Sequence, residues 1–229
     1  MNGYDAMAQV LLAEGVDLLI AFPHQPLIET GALAGIRPII CRQERTGVNM
    51  ADGYSRIHNG RKIGVFTMQH GPGAENAFGG VAQAFADSVP LLVLPGGEPL
   101  ARLGVHPTFA AVPTYQGITK WSAPLYTAES IPAVMRRAFT HLKHGRPGPV
   151  LVEMHSDVMG ALYPAATIDY KPVTRHASAA APEDVRDLVT ALLKATNPII
   201  NAGQGVMYAE ATPELIEFVE LTHIPVMTT

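Results

Sequence analysis

The residue with the clearest chemical potential is Glu44, a carboxylate in the block RQERTGVNMADGYSR at residues 42–56. It follows an apolar run at 38–41 that is typical of a buried strand, and it opens a helix-like segment that ends near residue 59. In parallel α/β sheets such junctions lie at the carboxyl edge, where ligands bind. Glu44 is therefore a candidate acid or base toward a ligand. The simpler interpretation of the spacing alone is that it caps the helix or pairs with Arg42 or Arg45 at the surface.

A glycine-rich turn, QHGPGAEN at residues 69–76, forms the second candidate site. It separates a strand-like run from an alanine-rich helical segment, as phosphate-binding turns do. Its spacing fits neither G-x-G-x-x-G nor a P-loop with its Lys, so a dinucleotide site is poorly supported. His70, beside Gln69, could transfer protons near neutral pH. Equally, it could only satisfy backbone groups in the turn.

A third candidate is the loop FPHQP at residues 22–26. Its His24 could supply an acid or base that faces a substrate. The simpler alternative is a polar loop residue without a chemical role.

These residues must be positioned by the elements around them. Short apolar runs alternate with longer helix-like segments, which predicts an α/β fold with a doubly wound, mostly parallel sheet and helices on both faces. The stretch at 95–113 is rich in Gly and Pro and is predicted to be a long loop, and residues 118–125 are predicted to pair at a sheet edge. The predicted strands are 18–22, 38–41, 63–68, 90–94 and 150–153, and the predicted helices are 4–14, 26–34, 44–59, 74–87 and 130–142.

A shift to Ala, Thr and Pro at residues 166–181 predicts a linker between a first domain at 1–165 and a second segment at 182–229. That segment has two helix-like and two strand-like stretches. Such a set cannot close a doubly wound sheet, because the edge and faces would lack cover. We predict that it is the incomplete start of a second α/β domain. Its predicted helices are 182–194 and 212–222, and its predicted strands are 198–202 and 224–228.

The composition argues against several classes of protein. Hydrophobic residues make up 48% and charged residues 16%, which is enough apolar material for a buried core. A net charge of −4 provides no basic surface for nucleic acid. The single cysteine, Cys41, forms no internal disulfide and is typical of a reducing compartment. The chain has no apolar run of the roughly 20 residues that a membrane span needs and no signal-peptide pattern at its start. We expect a cytoplasmic protein that acts on a small molecule.

The block at 42–56 resembles a segment of the thiamine-diphosphate enzymes of the acetolactate synthase and benzoylformate decarboxylase type, which reads loosely R-x-E-x-x-A-x-x-M-A-D-G-Y-A-R. Glu44, the MADGY run at 50–54 and Arg56 match, with Ser55 where Ala is usual. The resemblance implies that residues 1–165 form a pyrimidine-binding domain. It also implies that Glu44 hydrogen-bonds N1′ of the cofactor's aminopyrimidine and favours the imino tautomer, whose imine removes the proton from thiazolium C2.

The turn at 69–76 is similar to the family's S-G-P-G-x-x-N segment, which approaches the pyrimidine ring. Four residues match and are implied to contact the cofactor, namely Gly71, Pro72, Gly73 and Asn76. Gln69 and His70 stand where Thr and Ser are common, and the resemblance implies that they handle protons on the substrate.

The loop at 22–26 corresponds to the family's F-G-x-P-G segment, whose glycines let the backbone approach the cofactor ring. Pro23 and His24 replace part of that pattern. By resemblance they are implied to be cofactor-binding residues, although the chain departs from the family here.

The family binds the diphosphate and Mg²⁺ through a separate domain with a G-D-G motif, and these 229 residues contain none. The resemblance therefore implies thiamine diphosphate and Mg²⁺ as cofactors, with the metal held by a domain absent from this chain and no metal ligand within it. It also implies a homodimer or higher homo-oligomer, and a fragment that is inactive alone.

The resemblance implies the N-terminal part of a lyase or carboligase that acts on a 2-oxo acid or related carbonyl compound. Residues 109–111 read FAA where acetolactate synthases have F-Q-E, which weakens an assignment to pyruvate carboligation. Arg102, His106 and Phe109 lie where substrate access could be set. Two alternatives stay open: a non-catalytic or pyrimidine-half subunit completed by a separate diphosphate-binding chain, and an unrelated α/β nucleotide or flavin binder.

Overall fold

The computed structural model describes residues 1–23 and 25–229. Contacts divide the chain into two compact units, Met1–Arg175 and His176–Thr229. In the described part of the chain, no helix combines the length and the apolar character that crossing a membrane requires.

The first unit is built on a six-stranded sheet in which every pairing of neighbouring strands is parallel. The strand order is β2-β1-β3-β4-β6-β5, so consecutive strands are joined by crossovers through helices. The strands are β1 Leu18–Ala21, β2 Arg37–Ile40, β3 Gly64–Met68, β4 Leu91–Gly97, β5 Trp121–Leu125 and β6 Pro149–His155.

Helices cover both faces of this sheet, because successive strand residues point to opposite sides. One buried cluster joins Val65 and Leu92 to α1 and α6, and the other joins Phe66 and Val93 to α3 and α4. The predicted doubly wound α/β fold is confirmed. The helices of this unit are α1 Gly3–Ala13, α2 Leu27–Leu33, α3 Glu44–Ile57, α4 Pro72–Ala86, α5 Ala111–Tyr115, α6 Ile131–Lys143 and α7 Ser156–Gly160.

The prediction of a loop over 95–113 was wrong at both ends. Strand β4 continues to Gly97, because Gly96 and Gly97 pair with Met154 and His155 of β6. At the other end, α5 begins at Ala111 despite Pro113, since a proline in the first turn removes no intrahelical hydrogen bond. The prediction of an edge pairing at 118–125 is confirmed, since β5 is the last strand of the sheet.

The second unit contains a pair of parallel strands, β7 and β8. Its elements follow the predicted order, with a short extra helix, α9, that the sequence patterns did not indicate. No residue of its three helices is buried in the described chain, which fits a segment without a core of its own. The elements are α8 Pro182–Lys194, β7 Ile200–Ala202, α9 Gly205–Ala209, α10 Thr212–Thr222 and β8 Val226–Thr228.

A buried carboxylate attaches residues 166–175 to the rest of the first unit. The side chain of Glu14 is fully buried, and its Oε2 lies 2.5 Å from Lys143 Nζ. Its Oε1 accepts hydrogen bonds from the Tyr170 hydroxyl and from the backbone N–H of Val173, the latter at 2.9 Å. The first part of the segment predicted to be a linker therefore packs on α1 and α6 through one ionised group.

Helices α3 and α4 cross closely because α4 carries a glycine at the contact. A Cβ at Gly80 would lie 2.1 Å from Val48 Cγ1 and 2.9 Å from Asn49 Oδ1, both on α3. Any larger residue would push the two helices apart. The neighbouring Gly79 faces only the flexible end of Arg45, at 3.3 Å.

Glu14→Gln should lower the free energy of unfolding of the first unit by about 3 kcal/mol, because it leaves the Lys143 ammonium without its carboxylate in a shielded position. Urea unfolding followed by the fluorescence of Trp121, the single tryptophan, measures this unit. The exposed Glu129 has no hydrogen bond or ion pair from its side chain in the described chain, so Glu129→Gln is the control and should change stability by less than about 0.5 kcal/mol. Equal losses for both variants would contradict the proposed attachment.

Gly80→Ala should destabilise the first unit by about 1–3 kcal/mol, because the added methyl group overlaps Val48. Gly79→Ala is the matched control one residue away. It should be neutral or stabilising by up to about 1 kcal/mol, since alanine is the better helix former and Arg45 can move. Thermal unfolding of both variants tests the pair, and a Gly80→Ala chain as stable as Gly79→Ala would refute the close crossing.

Candidate functional site

Glu44 is the first residue of α3, and it lies at the carboxyl edge of the sheet just after β2. Its residue is only 4% exposed. Its Oε2 accepts a hydrogen bond of 3.2 Å from Asn76 Nδ2. Within residues 1–23 and 25–229 no ion pair joins Glu44 to Arg42 or Arg45, so the surface interpretation of the sequence was wrong.

Asn76 reaches Glu44 because the turn after β3 directs α4 toward α3. Gly71 precedes the helix with φ of +58°, a left-handed conformation that favours glycine. Pro72 is the first residue of α4, where its missing N–H costs nothing. Gly73 is buried in the same turn, and a Cβ there would lie 2.8 Å from Gln69 Cγ. The glycines and the proline therefore shape the turn that places Asn76.

The Glu44 carboxylate meets the requirements for activating a nitrogen heterocycle. It is shielded from water, and one oxygen is oriented by Asn76. In the part of the chain that the structure describes, Oε1 has no hydrogen-bond partner, so it can share a proton with a ring nitrogen. A carboxylate that served only as a helix cap would instead accept backbone N–H groups of its own helix.

His70 belongs to a second group of polar side chains at the same edge of the sheet. Its Nε2 lies 3.1 Å from Oε1 of Glu98, and both side chains are partly exposed. The alternative that His70 only satisfies the turn's backbone is thus not what the structure shows. Glu98 was missed by the sequence reasoning, although a charged residue directly after a buried strand was a signal for it.

A cavity of about 200 Å³ opens beside this histidine. Its wall includes the amide, imidazole and carboxyl side chains of Gln25, Gln69, His70 and Glu98. Gln25 is held in place because its Nε2 donates to the Met68 carbonyl oxygen at 3.1 Å. The remaining lining residues are Tyr4, Pro26, Gly96, Gly97, Met154 and Ser156.

Pro23 lines a separate, more open hollow with Ile28, Pro38 and Ile40. Gln25 contributes to the wall of both hollows. The predicted role of His24 falls on a residue outside the described ones.

The rest of the MADGYSR block supports the helix rather than the site. Arg56 Nε donates to Asp52 at 2.7 Å, and its NH2 group lies 2.6 Å from Asp87. The hydrogen bond to Asp52 is the main cause of the raised pKa of Arg56. The Tyr54 hydroxyl donates to Asp17. These contacts fix α3 against its neighbours and so fix the position of Glu44.

Among the described residues, no group of three or more His, Cys, Asp or Glu side chains is arranged to hold a metal ion.

Comparison with known proteins adds independent information on this site. The chain is 32% identical over its full length to a probable acetolactate synthase large subunit of Methanococcus aeolicus and 33% identical to the glyoxylate carboligase of Escherichia coli O157:H7. It is also 32% identical to the chloroplastic acetolactate synthase of Arabidopsis thaliana. The chain spans 40%, 40% and 35% of these relatives, respectively.

Two family descriptions match the chain in order. Residues 185–229 match "Thiamine pyrophosphate enzyme, central domain". Before them in the chain, residues 1–122 match "Thiamine pyrophosphate enzyme, N-terminal TPP binding domain". The second range contains Glu44, Asn76 and the cavity residues Gln69, His70 and Glu98. The family predicted from the sequence is thereby confirmed, and the chain belongs to the thiamine pyrophosphate enzymes.

Proposed function

We propose that this chain forms the pyrimidine-binding part of a thiamine-diphosphate-dependent lyase or carboligase, in which Glu44 activates the cofactor. The observation that carries this proposal is the buried carboxylate of Glu44, oriented by Asn76 and without a cationic partner among the described residues. Retaining such a group costs stability, so a ligand that shares its proton is the reason to keep it.

Glu44 acts by sharing a proton with a ring nitrogen of the bound aminopyrimidine. Asn76 donates to Oε2, so Oε1 would be the oxygen that shares a proton with the ring nitrogen. Gly71 and Gly73 allow the backbone of the turn to come close to the ring, because neither carries a side chain in the way. The cofactor supplies a nucleophilic carbon, C2 of its thiazolium, for attack on a carbonyl group.

His70 and Gln69 handle protons on the substrate in the adjacent cavity. An imidazole is the side chain best suited to accept and return a proton near neutral pH. Glu98 holds the imidazole in one orientation through Nε2. The cavity volume of about 200 Å³ suits a small carbonyl compound.

The relatives support a 2-oxo acid or a related carbonyl compound as the substrate. Their names describe acetolactate synthases and a glyoxylate carboligase. Both activities join carbon units through carbonyl chemistry, so the same chemistry is our proposal for the protein that contains this chain. The chain reads FAA at 109–111 where acetolactate synthases have F-Q-E, which argues against a pair of pyruvate molecules as the substrates.

The cofactor site would be completed by a protein region outside these 229 residues, and that region would hold the diphosphate and Mg²⁺. We propose that this region comes from a second copy of the intact protein, in a homodimer. Exposed apolar side chains on the elements that flank Glu44 support the assembly: Ile40 on β2 is 52% exposed and Met50 on α3 is 38% exposed.

In the intact protein that contains this chain and the diphosphate-binding region, Glu44→Gln should slow hydrogen–deuterium exchange at C2 of bound thiamine diphosphate by at least about 100-fold, since an amide cannot share the proton. Proton NMR of the quenched cofactor measures the exchange. Glu75→Gln is the control, because Glu75 is exposed on the same helix as Asn76. Unchanged exchange in Glu44→Gln would remove Glu44 from its role and favour the non-catalytic alternative.

His70→Gln separates the two groups of side chains. It should lower kcat by about 10²–10⁴-fold, because it removes the group that moves protons on the substrate. C2 exchange should stay within about twofold of the parent, since Glu44 and Asn76 are untouched. Steady-state kinetics with a panel of 2-oxo acids, run beside the exchange assay, gives both numbers. A variant that loses both activities together would place His70 in cofactor binding instead.

A further inference from the structure

The segment at 98–110 joins β4 to α5 along the edge of the sheet that carries the cavity. It contains one short 3₁₀ turn, Leu100–Arg102, and otherwise lacks regular structure. It also carries Glu98, the partner of His70, and Phe109. Such a segment needs contacts at both ends to hold a fixed position, because its own backbone hydrogen bonds are few.

The first end is held by His155, the last residue of β6. His155 is 1% exposed, and its Nδ1 lies 2.7 Å from the carbonyl oxygen of Glu98. A carbonyl oxygen only accepts, so Nδ1 carries the proton of this hydrogen bond. The ring also stacks on Tyr126 with an angle of 17° between the planes. The beginning of the segment is therefore bound to the end of β6.

The other nitrogen of this imidazole makes the residue costly to keep. Nε2 of His155 is buried and has no hydrogen-bond partner in the described part of the chain. A buried polar atom without a partner loses its hydration and gains nothing in return. Fold stability alone would be served better by an apolar ring at this position, so the bond to Glu98 is the reason for a histidine.

The second end is held by Glu153, two residues earlier on the same face of β6. Glu153 is 5% exposed, and burial raises the pKa of its carboxyl group. The electrostatic interaction with His155 and the backbone N–H groups of Ala111 and Val112 oppose that shift. These N–H groups belong to the first turn of α5, where a helix provides no carbonyl partners. Helix α5 also packs against β6, so the buried carboxyl group of Glu153 lies on the strand that contacts the residues immediately after the segment and can anchor them.

Gly97 makes room for both side chains. A Cβ at Gly97 would lie 2.7 Å from His155 Nδ1 and 3.1 Å from Glu153 Cγ. Strand β4 can thus pair with β6 up to Gly97, because the side chains of Glu153 and His155 occupy the space that a side chain at Gly97 would need. The glycine, the histidine and the glutamate fit together as one unit.

We propose that Glu153 and His155 are positioning residues that form a buried clamp, binding both ends of the segment at 98–110 to β6 and so fixing one wall of the substrate cavity. The clamp itself follows from the contacts of this chain. Its effect on substrate rests on the function proposed above.

Amide hydrogen exchange of the 229-residue chain, followed by mass spectrometry, tests the clamp. Glu153→Ala removes the acceptor for α5, and His155→Phe keeps an aromatic ring beside Tyr126 but removes the bond to Glu98. Each variant should speed exchange in peptides covering 98–112 by at least about tenfold while peptides of α3 and β3 stay unchanged.

The matched control is Val152→Ala. Val152 is fully buried on the same strand but faces the opposite layer of helices, so its truncation weakens the unit without touching the clamp. Exchange in 98–112 that rises no more in the clamp variants than in Val152→Ala would overturn the proposal.

Kinetics of the intact protein test the link to the substrate. The clamp variants should raise KM for the carbonyl substrate by about tenfold or more, with C2 exchange of the cofactor within about twofold of the parent. An unchanged KM despite faster amide exchange would refute the claim that the segment fixes a wall of the substrate cavity. The claim that Glu153 and His155 clamp the segment would stand. Absence of C2 exchange in the parent protein would refute the proposed function, and the amide-exchange result would stand by itself.

Discussion

The site depends on the contact between the beginnings of two helices, where the Glu44 carboxylate meets the Asn76 amide at 3.2 Å. A carboxylate that is 4% exposed survives there because α3 and α4 approach closely enough to shield it. Gly80 permits that approach, since any side chain would overlap Val48. The packing of α3 against α4 thus shields Glu44 from water. Glu44 in turn forms a polar contact between the beginnings of the two helices.

The parallel sheet explains why polar groups from distant parts of the chain collect at one edge. All its strands end at the same side, so the residues that follow β2, β3, β4 and β6 become neighbours. Glu44 follows β2, His70 follows β3, Glu98 follows β4 and His155 ends β6. Three groups result. Glu44 and Asn76 lie at the helix contact, His70 and Glu98 line the cavity, and the proposed clamp orders the segment between β4 and α5.

The prediction of the elements succeeded where the signal was local and failed where it was not. The position of α3 and of the strand before it could be predicted to within two residues from an apolar run followed by a helical pattern. The extension of β4 to Gly97 could not, because two glycines in succession are typical of a loop. They form strand here because β6 offers a backbone partner as far as His155. The helix α5 was missed for a related reason: its anchor, Glu153, lies 42 residues later in the chain.

The sequence by itself determined the order of the elements, the parallel α/β class and the family. Hydrophobic periodicity and the R-x-E and G-P-G blocks are local signals, carried by residues close together in the chain. It also singled out Glu44 and His70 as polar groups just after predicted strands, and Asn76 through the resemblance to the family. Only the tertiary structure decided that Glu44 is buried against Asn76 and that His70 faces Glu98. Those contacts depend on the strand order and on how closely the helices cross, and both are set by packing between residues far apart in the chain.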